Sequence, residues 1–304
     1  MDQILSELGN LLSSSFIIVQ EEVISALATI ADAAQDYFDR YYDAFMPHMK
    51  TIIQVRMGRV KVCEGAIFLP PSSPLCPCPQ FSHPTPKPCP QQSSQEKTYR
   101  MLRAKTFEAA TLMGVAVGKE RFREDALALI RVLLATDEGG ISADDPQTTY
   151  MLGCWSRICQ VLEDEFLPFL PSIMPGLLKT AKQPPGIRQL ELDDEDVNPE
   201  EWTPLSVDDE LIGIKTSSLE EKRNAFEVLV RFAQRLRGHF APYVQEMLSF
   251  TPDLMRFYFD EDVRVLSMEI VAYLLTACIE NEQVRGGGGE EEGYASQRVG
   301  NGQS

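Results

Sequence analysis

The 304-residue chain is 44% hydrophobic, which gives it enough apolar surface for a substantial core and excludes wholesale disorder. Its 45 acidic and 28 basic residues give a formal net charge of −17, which excludes nucleic-acid binding through a basic face and favours basic partners. We predict neither a membrane span nor a signal peptide, because no run of 18 apolar residues is present and the start of the chain is acidic and amphipathic.

Taken in chain order, the residues predict helices of two kinds. The first kind, termed A helices, has apolar residues at three- and four-residue spacing with small residues between them. The A helices are residues 18–35, 95–117, 146–163, 217–237 and 261–282. The second kind, termed B helices, begins at a phenylalanine, and the four starts are Phe38, Phe122, Phe166 and Phe240.

Three of the four B helices share two further positions. An aromatic residue follows the phenylalanine at the third place, and a bulky apolar residue follows at the seventh. The aromatic residues are Tyr41, Phe169 and Tyr243, and the apolar residues are Phe45, Ile173 and Met247, whereas the copy at Phe122 has Asp125 and Leu129. These spacings put the side chains on one helical face. We therefore interpret the recurring aromatic residues, and Trp155 on its A helix, as core and not as a ligand platform.

The spacing of the four phenylalanines indicates a repeat. The intervals are 84, 44 and 74 residues, and they become 46, 44 and 44 when residues 55–92 and 184–213 are left out. Such a period is typical of HEAT-type helical repeats. The sequence therefore predicts an all-α fold, a HEAT/armadillo-type α–α superhelix that forms a right-handed solenoid of about four to five repeats and is interrupted by two long loops. No strand is predicted.

The predicted organisation follows from this repeat. HEAT repeats occupy residues 1–54, 93–183 and 214–283. Between them lie a Pro/Cys-rich insertion at 55–92 and an acidic loop at 184–213, and a Gly/Glu-rich tail follows at 284–304. We expect the insertion and the tail to be disordered.

The insertion at 55–92 contains nine of the 20 prolines and four of the seven cysteines. One interpretation is a zinc site, and its candidate ligands are Cys63, Cys76, Cys78, His83 and Cys89. A second is a polyproline ligand. The spacing Cys-x-Cys is tighter than zinc sites normally have. We favour a third interpretation, retained intron sequence, because Gln54–Val55–Arg56 can be encoded by a consensus intron start and the same tripeptide recurs at Gln283–Val284–Arg285 before the tail.

Several short motifs resemble one protein family. They are YYDAFMP (41–47), LRAKTFEA (102–109), VGKERF (117–122), DDPQTTYM (144–151), GIKTSSLEEK (213–222) and FYFDEDVRV (257–265). In this order and spacing they resemble the central part of importin-beta-type nuclear transport receptors, in the importin beta-3 (karyopherin beta-3) branch. The resemblance covers most of residues 1–54 and 93–283.

The resemblance implies a HEAT-repeat superhelix that carries cargo with basic localisation signals between cytoplasm and nucleus. It also implies that the full-length family binds the GTPase Ran and Phe-Gly nucleoporins. The principal Ran contact in such receptors lies in amino-terminal repeats, whereas the matching residues here fall in the central third. The alternative function is a HEAT-repeat scaffold that holds partner proteins without transport.

The candidate cargo-binding site is the acidic segment at 190–210, LELDDEDVNPEEWTPLSVDDE, which has no Lys or Arg. Beyond Glu191, the candidate residues are Asp193, Asp194, Glu195, Asp196, Glu200, Glu201, Trp202, Asp208, Asp209 and Glu210. Pro199 and Pro204 argue against a helix, so a projecting loop is predicted. A charge run can also be merely a solvated surface. Calcium binding by an EF-hand is disfavoured, because no glycine stands at the sixth place of that pattern.

Catalytic motifs are not evident in the sequence. None of the three histidines, His48, His83 and His239, lies in a nucleophile or metal motif, and GVAVGKE at 114–120 departs from a phosphate-binding loop. We therefore predict no enzyme activity, no cofactor and no metal. In DEDVRV, Asp262 and Arg264 resemble the Asp and Arg that tie neighbouring turns of HEAT repeats together.

Overall fold

The computed structural model describes residues 1–14, 16–54, 90–137, 147–189, 201–207 and 210–287. The helices are α1 (Asp2–Leu12), α2 (Ile17–Ala34), α3 (Asp39–Gln54), α4 (Pro90–Val117), α5 (Lys119–Asp137), α6 (Gln147–Leu162), α7 (Leu170–Lys182), α8 (Thr216–Leu236), α9 (Ala241–Leu254) and α10 (Glu261–Gly287), and the strands are β1 (Ile187–Gln189), β2 (Trp202–Val207) and β3 (Glu210–Lys215). Short 3₁₀ turns precede α3, α7 and α9.

The helices stack in two rows. The A helices α2, α4, α6, α8 and α10 form the first row, in which each helix packs on the next. Each B helix packs against the A helix that follows it, so that α3 lies on α4, α5 on α6, α7 on α8 and α9 on α10. Helix α1 packs on α2 in the same manner and thus extends the B row. One hairpin cannot bury its own apolar face, so this stacking supplies the core. The predicted all-helical repeat is confirmed.

The phenylalanine that starts each B helix is a core residue. Phe38, Phe122, Phe166 and Phe240 are each 0% exposed. The ring of Phe166 lies 6.4 Å from Trp155 and 5.2 Å from Phe232, which joins α6, α7 and α8. This burial confirms the first repeated aromatic position as core. The second position is only half-buried and packs against the core from its edge, as seen for Tyr41, Phe169 and Tyr243.

The exceptional copy at Phe122 has a polar connection where the others have an aromatic residue. The hydroxyl of Tyr42 donates to Oδ2 of Asp125 at 2.7 Å, and Nζ of Lys50 lies 2.6 Å from Oδ1. Asp125 is half-buried between α3 and α5. A charge-assisted pair therefore links these two B helices where the sequence departs from its own repeat.

The turn from an A helix to a B helix has the same backbone form in three repeats. Gln35, Glu163 and Arg237 each lie three residues before the buried phenylalanine, and their φ angles are 47°, 52° and 46°. At Gln35 and Arg237 ψ is −129° and −120°. This is a glycine conformation that residues with a Cβ adopt only with strain. The remaining turn has glycine, Gly118, at φ 78°.

The three-stranded sheet lies between α7 and α8. Strand β3 is central, β1 and β2 flank it, and both pairings are antiparallel. The expectation that residues 184–213 contain no strand is therefore wrong. Strand β2 contains Pro204, and β3 (ELIGIK) lacks a strict apolar–polar alternation, which is why the pattern escaped detection.

Two predicted boundaries differ by a few residues. Helix α4 begins at Pro90, inside the segment assigned to the insertion, and α10 continues to Gly287, inside the segment assigned to the tail. The rest of 55–92 and of 284–304 lies outside the described residues. Helix ends are the least specified part of a periodic pattern, because the apolar face does not define where the last turn stops.

We expect Gln35→Gly to raise the free energy of unfolding by about 1 kcal/mol, because glycine relieves the strain at φ 47°. Gly118→Ala should lower it by about 1 kcal/mol, because alanine is strained at φ 78°. Urea unfolding followed by circular dichroism measures both changes. Asp36→Gly, one residue further on at an exposed position without a positive φ, is the control and should not stabilise. Destabilisation by Gln35→Gly would contradict the assignment of strain.

Candidate functional site

The sheet carries the described part of the predicted acidic site. Glu201 is exposed and lies just before β2, while Trp202 begins β2 opposite Lys215 and is half-buried. Glu210 begins β3 opposite Val207. The structure thus brings Trp202 and Glu210 onto neighbouring strands. The other predicted site residues, Asp193, Asp194, Glu195, Asp196, Glu200, Asp208 and Asp209, lie outside the described residues.

The outer strand β2 has a proline at its centre. The backbone N–H of Lys215 donates towards β1, to the carbonyl of Gly186, and that of Thr216 donates towards β2, to the carbonyl of Glu201. Because backbone groups alternate along a strand, those of Gly213 also point towards β1. Pro204, opposite Gly213, therefore directs its nitrogen away from β3. The missing N–H of proline therefore lies on the side of β2 that faces away from β3, where none of the described strands pairs, and this disfavours the addition of another strand.

A buried lysine holds the point at which the acidic segment leaves the helical stack. Nζ of Lys222, on α8, donates to the carbonyls of Ala181 and Gln183 at the end of α7, the latter at 3.0 Å. The residue is 3% exposed, and Nζ lies 5.4 Å from the ring of Phe257. Burial lowers the pKa of Lys222 to about 8. The ammonium group satisfies carbonyls that a helix end leaves without partners.

Two further hydrogen bonds fix the segment beyond α7. The N–H of Gly186 donates to Oγ of Ser218 at 3.0 Å, and the N–H of Lys215 donates to the carbonyl of Gly186 at 2.9 Å. Since Ser218 and Lys222 are both on α8, and β3 runs directly into that helix, both ends of the acidic segment are anchored to α8.

Arg103 of α4 holds the end of α3, where the chain enters the insertion at 55–92, as Lys222 holds the end of α7. It lies four residues before the buried Phe107, as Lys222 lies four residues before Phe226. Its Nε donates to the carbonyl of Ile53 at the end of α3 at 3.2 Å, and its Nη2 donates to Oγ1 of Thr136 at 3.0 Å. Neither cation was predicted, although the aligned strings LRAKTFE (102–108) and EKRNAFE (221–227) place both at the same position before the phenylalanine.

The predicted Asp–Arg connection between repeats is displaced by two residues. Asp260, not Asp262, is the buried acid: its side chain is 3% exposed, it accepts from the N–H of Val263 at 3.0 Å, and it accepts from Nε of Arg223 on α8 at 3.2 Å. Asp262 adds an exposed contact to Arg223 at 3.3 Å. Arg264 makes its contact through its backbone carbonyl, which accepts a hydrogen bond from Oγ of Ser267. Asp260 thus caps α10 and ties it to α8.

The B helices present both signs of charge. On α3, Asp39 and Asp43 lie 3.3 Å and 3.1 Å from Arg121 of α5. Helix α7 has lysines and no acidic residue between Leu170 and Lys182. Its Lys182 lies 2.6 Å from Glu246 of α9. The acidic character of the chain is therefore interrupted at α7.

The remaining site predictions concern metals, thiols and membranes. The proposed zinc ligands at positions 63, 76, 78, 83 and 89 lie outside the described residues. Within the described ranges, no group of three or more His, Cys, Asp or Glu side chains is placed to hold a metal ion. Burial raises the pKa of Cys154 to about 11 and that of Cys159 to about 12, which keeps both thiols protonated. None of the described helices is both long and apolar enough to cross a membrane.

The chain is similar to proteins of known class. Importin subunit beta-3 of Saccharomyces cerevisiae is 32% identical over 283 residues, which cover 92% of this chain and 22% of the relative. A probable importin-5 homolog of Dictyostelium discoideum is 22% identical, covering 94% of this chain and 22% of its own length. No family model matches. The chain spans 22% of the length of each of these curated relatives.

Solved structures give the same result for the fold. The crystal structure of Kap121p bound to Pho4p matches with a TM-score of 0.70 and 30% identity over 93% of this chain and 23% of Kap121p. Kap121p bound to Nup53p matches with a TM-score of 0.69 and 31% identity. The fold is therefore the HEAT-repeat superhelix of importin-type nuclear transport receptors. Within that class, the resemblance to the importin beta-3 branch is confirmed over nearly the whole chain.

We expect Lys222 to make the free energy of unfolding depend on pH between about 8 and 10.5. Its folded pKa lies below the ordinary value of 10.5, so the unfolded state binds more protons in this window and stability rises with pH. The rise amounts to at most about 3 kcal/mol. Urea unfolding at the two ends of the window should show the rise in wild type and not in Lys222→Met. Lys179→Met, at an exposed lysine, should keep the wild-type rise; an equal rise in Lys222→Met would contradict the assignment.

Proposed function

We propose that this chain is the cargo-binding part of a nuclear import receptor and that it recognises basic localisation segments of proteins. The observation that supports this most directly is the similarity to importin beta-3 combined with an acidic segment that is followed in the chain by β3 and α8. The relatives are transport receptors, and this chain matches 22% of their length. The transport function of the whole receptor is therefore our proposal for this chain, and the similarity alone does not establish it.

The relatives support recognition of protein segments. Kap121p has been crystallised with Pho4p, with Ste12p and with the extreme C-terminus of Cdc14p. A chain terminus is an extended ligand, which suits a superhelix with a long continuous surface. Binding of extended basic segments by this chain is consistent with its net charge of −17.

The charge distribution supports the acidic segment as the binding element. Residues 190–210 have ten carboxylates and no Lys or Arg, and Trp202 stands where the segment enters β2. Carboxylates in this number raise the rate of encounter with a basic segment more than the strength of any one contact. The half-buried indole of Trp202 adds a surface on which a Lys or Arg side chain can pack. The segment therefore suits varied basic sequences in place of one fixed motif.

The proposal extends to the other properties of the receptor. The chain acts by binding and carries out no catalysis, it needs no cofactor, and it shuttles between cytoplasm and nucleus. The GTPase Ran and Phe-Gly nucleoporins are partners of the complete receptor, and this chain contributes the cargo contacts. Neither a nucleic acid nor a membrane is a partner.

We expect a fluorescein-labelled Lys-rich localisation peptide to bind the chain, more tightly at low salt than at high salt. The combined variant Asp193→Asn, Asp194→Asn, Glu195→Gln and Asp196→Asn should weaken binding about tenfold at low salt and flatten the salt dependence, because it removes four attractive charges. Fluorescence anisotropy measures the dissociation constant.

The matched control neutralises four exposed carboxylates elsewhere, by Glu7→Gln, Glu22→Gln, Asp32→Asn and Asp36→Asn. It changes net charge equally and should leave the affinity close to wild type. Equal losses in the two variants would show that only total charge matters, and an unchanged affinity in the first variant would refute the role of the acidic segment.

A further inference from the structure

A groove lies between the B helices α7 and α9, and it has a volume of about 450 Å³. Its apolar wall consists of Pro171, Pro175 and Leu178 of α7 and Tyr243 of α9. At one end the groove is closed by the ion pair between Lys182 and Glu246. The apolar wall gives the groove a surface on which an aliphatic side chain can be buried.

Two prolines of α7 shape the groove. Pro175 lies inside α7 and has no N–H to donate to the carbonyl of Pro171, four residues earlier. Both prolines line the groove and are exposed. The ring of Pro175 takes the place of that donor beside the carbonyl of Pro171, so α7 contributes apolar proline surface to the groove.

The groove is positively charged, in contrast to the chain as a whole. Its carboxylate, Glu246, is already neutralised by Lys182 at 2.6 Å, and Lys182 also lies 5.2 Å from the ring of Phe250. Lys179 is exposed at the rim, and none of the described carboxylates lies within salt-bridge distance of it. One uncompensated positive charge therefore faces the groove.

We propose that this groove binds an extended acidic peptide segment of a partner protein that carries an aliphatic side chain next to a carboxylate. The aliphatic side chain packs on Pro171, Pro175, Leu178 and Tyr243, and the carboxylate pairs with Lys179. The partner is thus opposite in charge to the basic segments assigned to residues 190–210.

The surroundings restrict such a segment to this part of the B row. On α3, Asp39 and Asp43 share the single cation Arg121 and so leave one net negative charge. Glu124 of α5 is exposed, so this part of the B row disfavours an acidic peptide. Because α7 lacks acidic residues altogether, the repulsion ends at that helix. The chain can therefore separate basic from acidic segments by position along one surface.

The experiment uses the full chain and three short labelled peptides in fluorescence anisotropy. The first alternates Asp or Glu with Leu, the second replaces the acidic residues by Lys, and the third replaces Leu by Ser. We expect the first peptide to bind, the third to bind at least fivefold more weakly, and Lys179→Glu to weaken the first about fivefold. Arg131→Glu, at an exposed arginine of α5 outside the groove, is the matched control and should leave binding unchanged.

Each result of this experiment distinguishes an acidic partner peptide from another occupant of the groove. Selective loss in Lys179→Glu, with hydrogen-exchange protection of α7 and α9 by the first peptide, supports the proposal. Equal loss in Arg131→Glu overturns it, because general charge would then explain binding. Binding of the second peptide that is weakened by Tyr243→Ala overturns the assigned charge of the partner. Binding of the first peptide only after residues 193–196 are neutralised also overturns it, because the chain would then supply its own occupant.

Discussion

At each of the two insertions a cation of an A helix, buried at Lys222 and half-buried at Arg103, fixes the end of the B helix before it. Lys222 holds the end of α7 and Arg103 holds the end of α3, each four residues before a buried phenylalanine. An ordinary repeat defines that position by a short turn. Where a long segment replaces the turn, the cation connects the two helices directly. This contact does not depend on the length of the segment between them. The A row can therefore continue past both insertions.

This arrangement separates the stability of the stack from the composition of its surface segments. The A row and the buried phenylalanines provide the core, so residues 190–210 are free to carry ten carboxylates and no Lys or Arg. The B helices are similarly free on their outer side, and α7 uses that freedom to present lysines and prolines. Surfaces of opposite charge can then lie close together on one chain. Such a pattern is typical of a protein that selects partners by charge and position.

The sequence predicted the helices well, because an amphipathic period of 3.6 is a local property. The buried phenylalanines also recur every 44 to 46 residues once residues 55–92 and 184–213 are left out. Strands β2 and β3 were missed, since they are short, one contains Pro204, and their pairing joins residues that no local pattern connects. Lys222 was missed for a similar reason: a buried cation is recognised by the carbonyls it meets. Asp262 was predicted to connect the repeats, whereas Asp260 is the buried acid that does so. Sequence alone does not distinguish two neighbouring acidic residues, because they differ only in their burial.

Pro204 has a consequence for the chain in solution. A protein with an uncovered outer strand invites identical molecules to add to it, and the resulting ladder can grow into cross-β aggregates. The growth needs an unbroken row of donors along the strand. At the centre of β2 that row is broken, since the proline nitrogen has no hydrogen to offer. The fold can thus place strands next to a highly charged segment without turning each molecule into a seed for polymerisation.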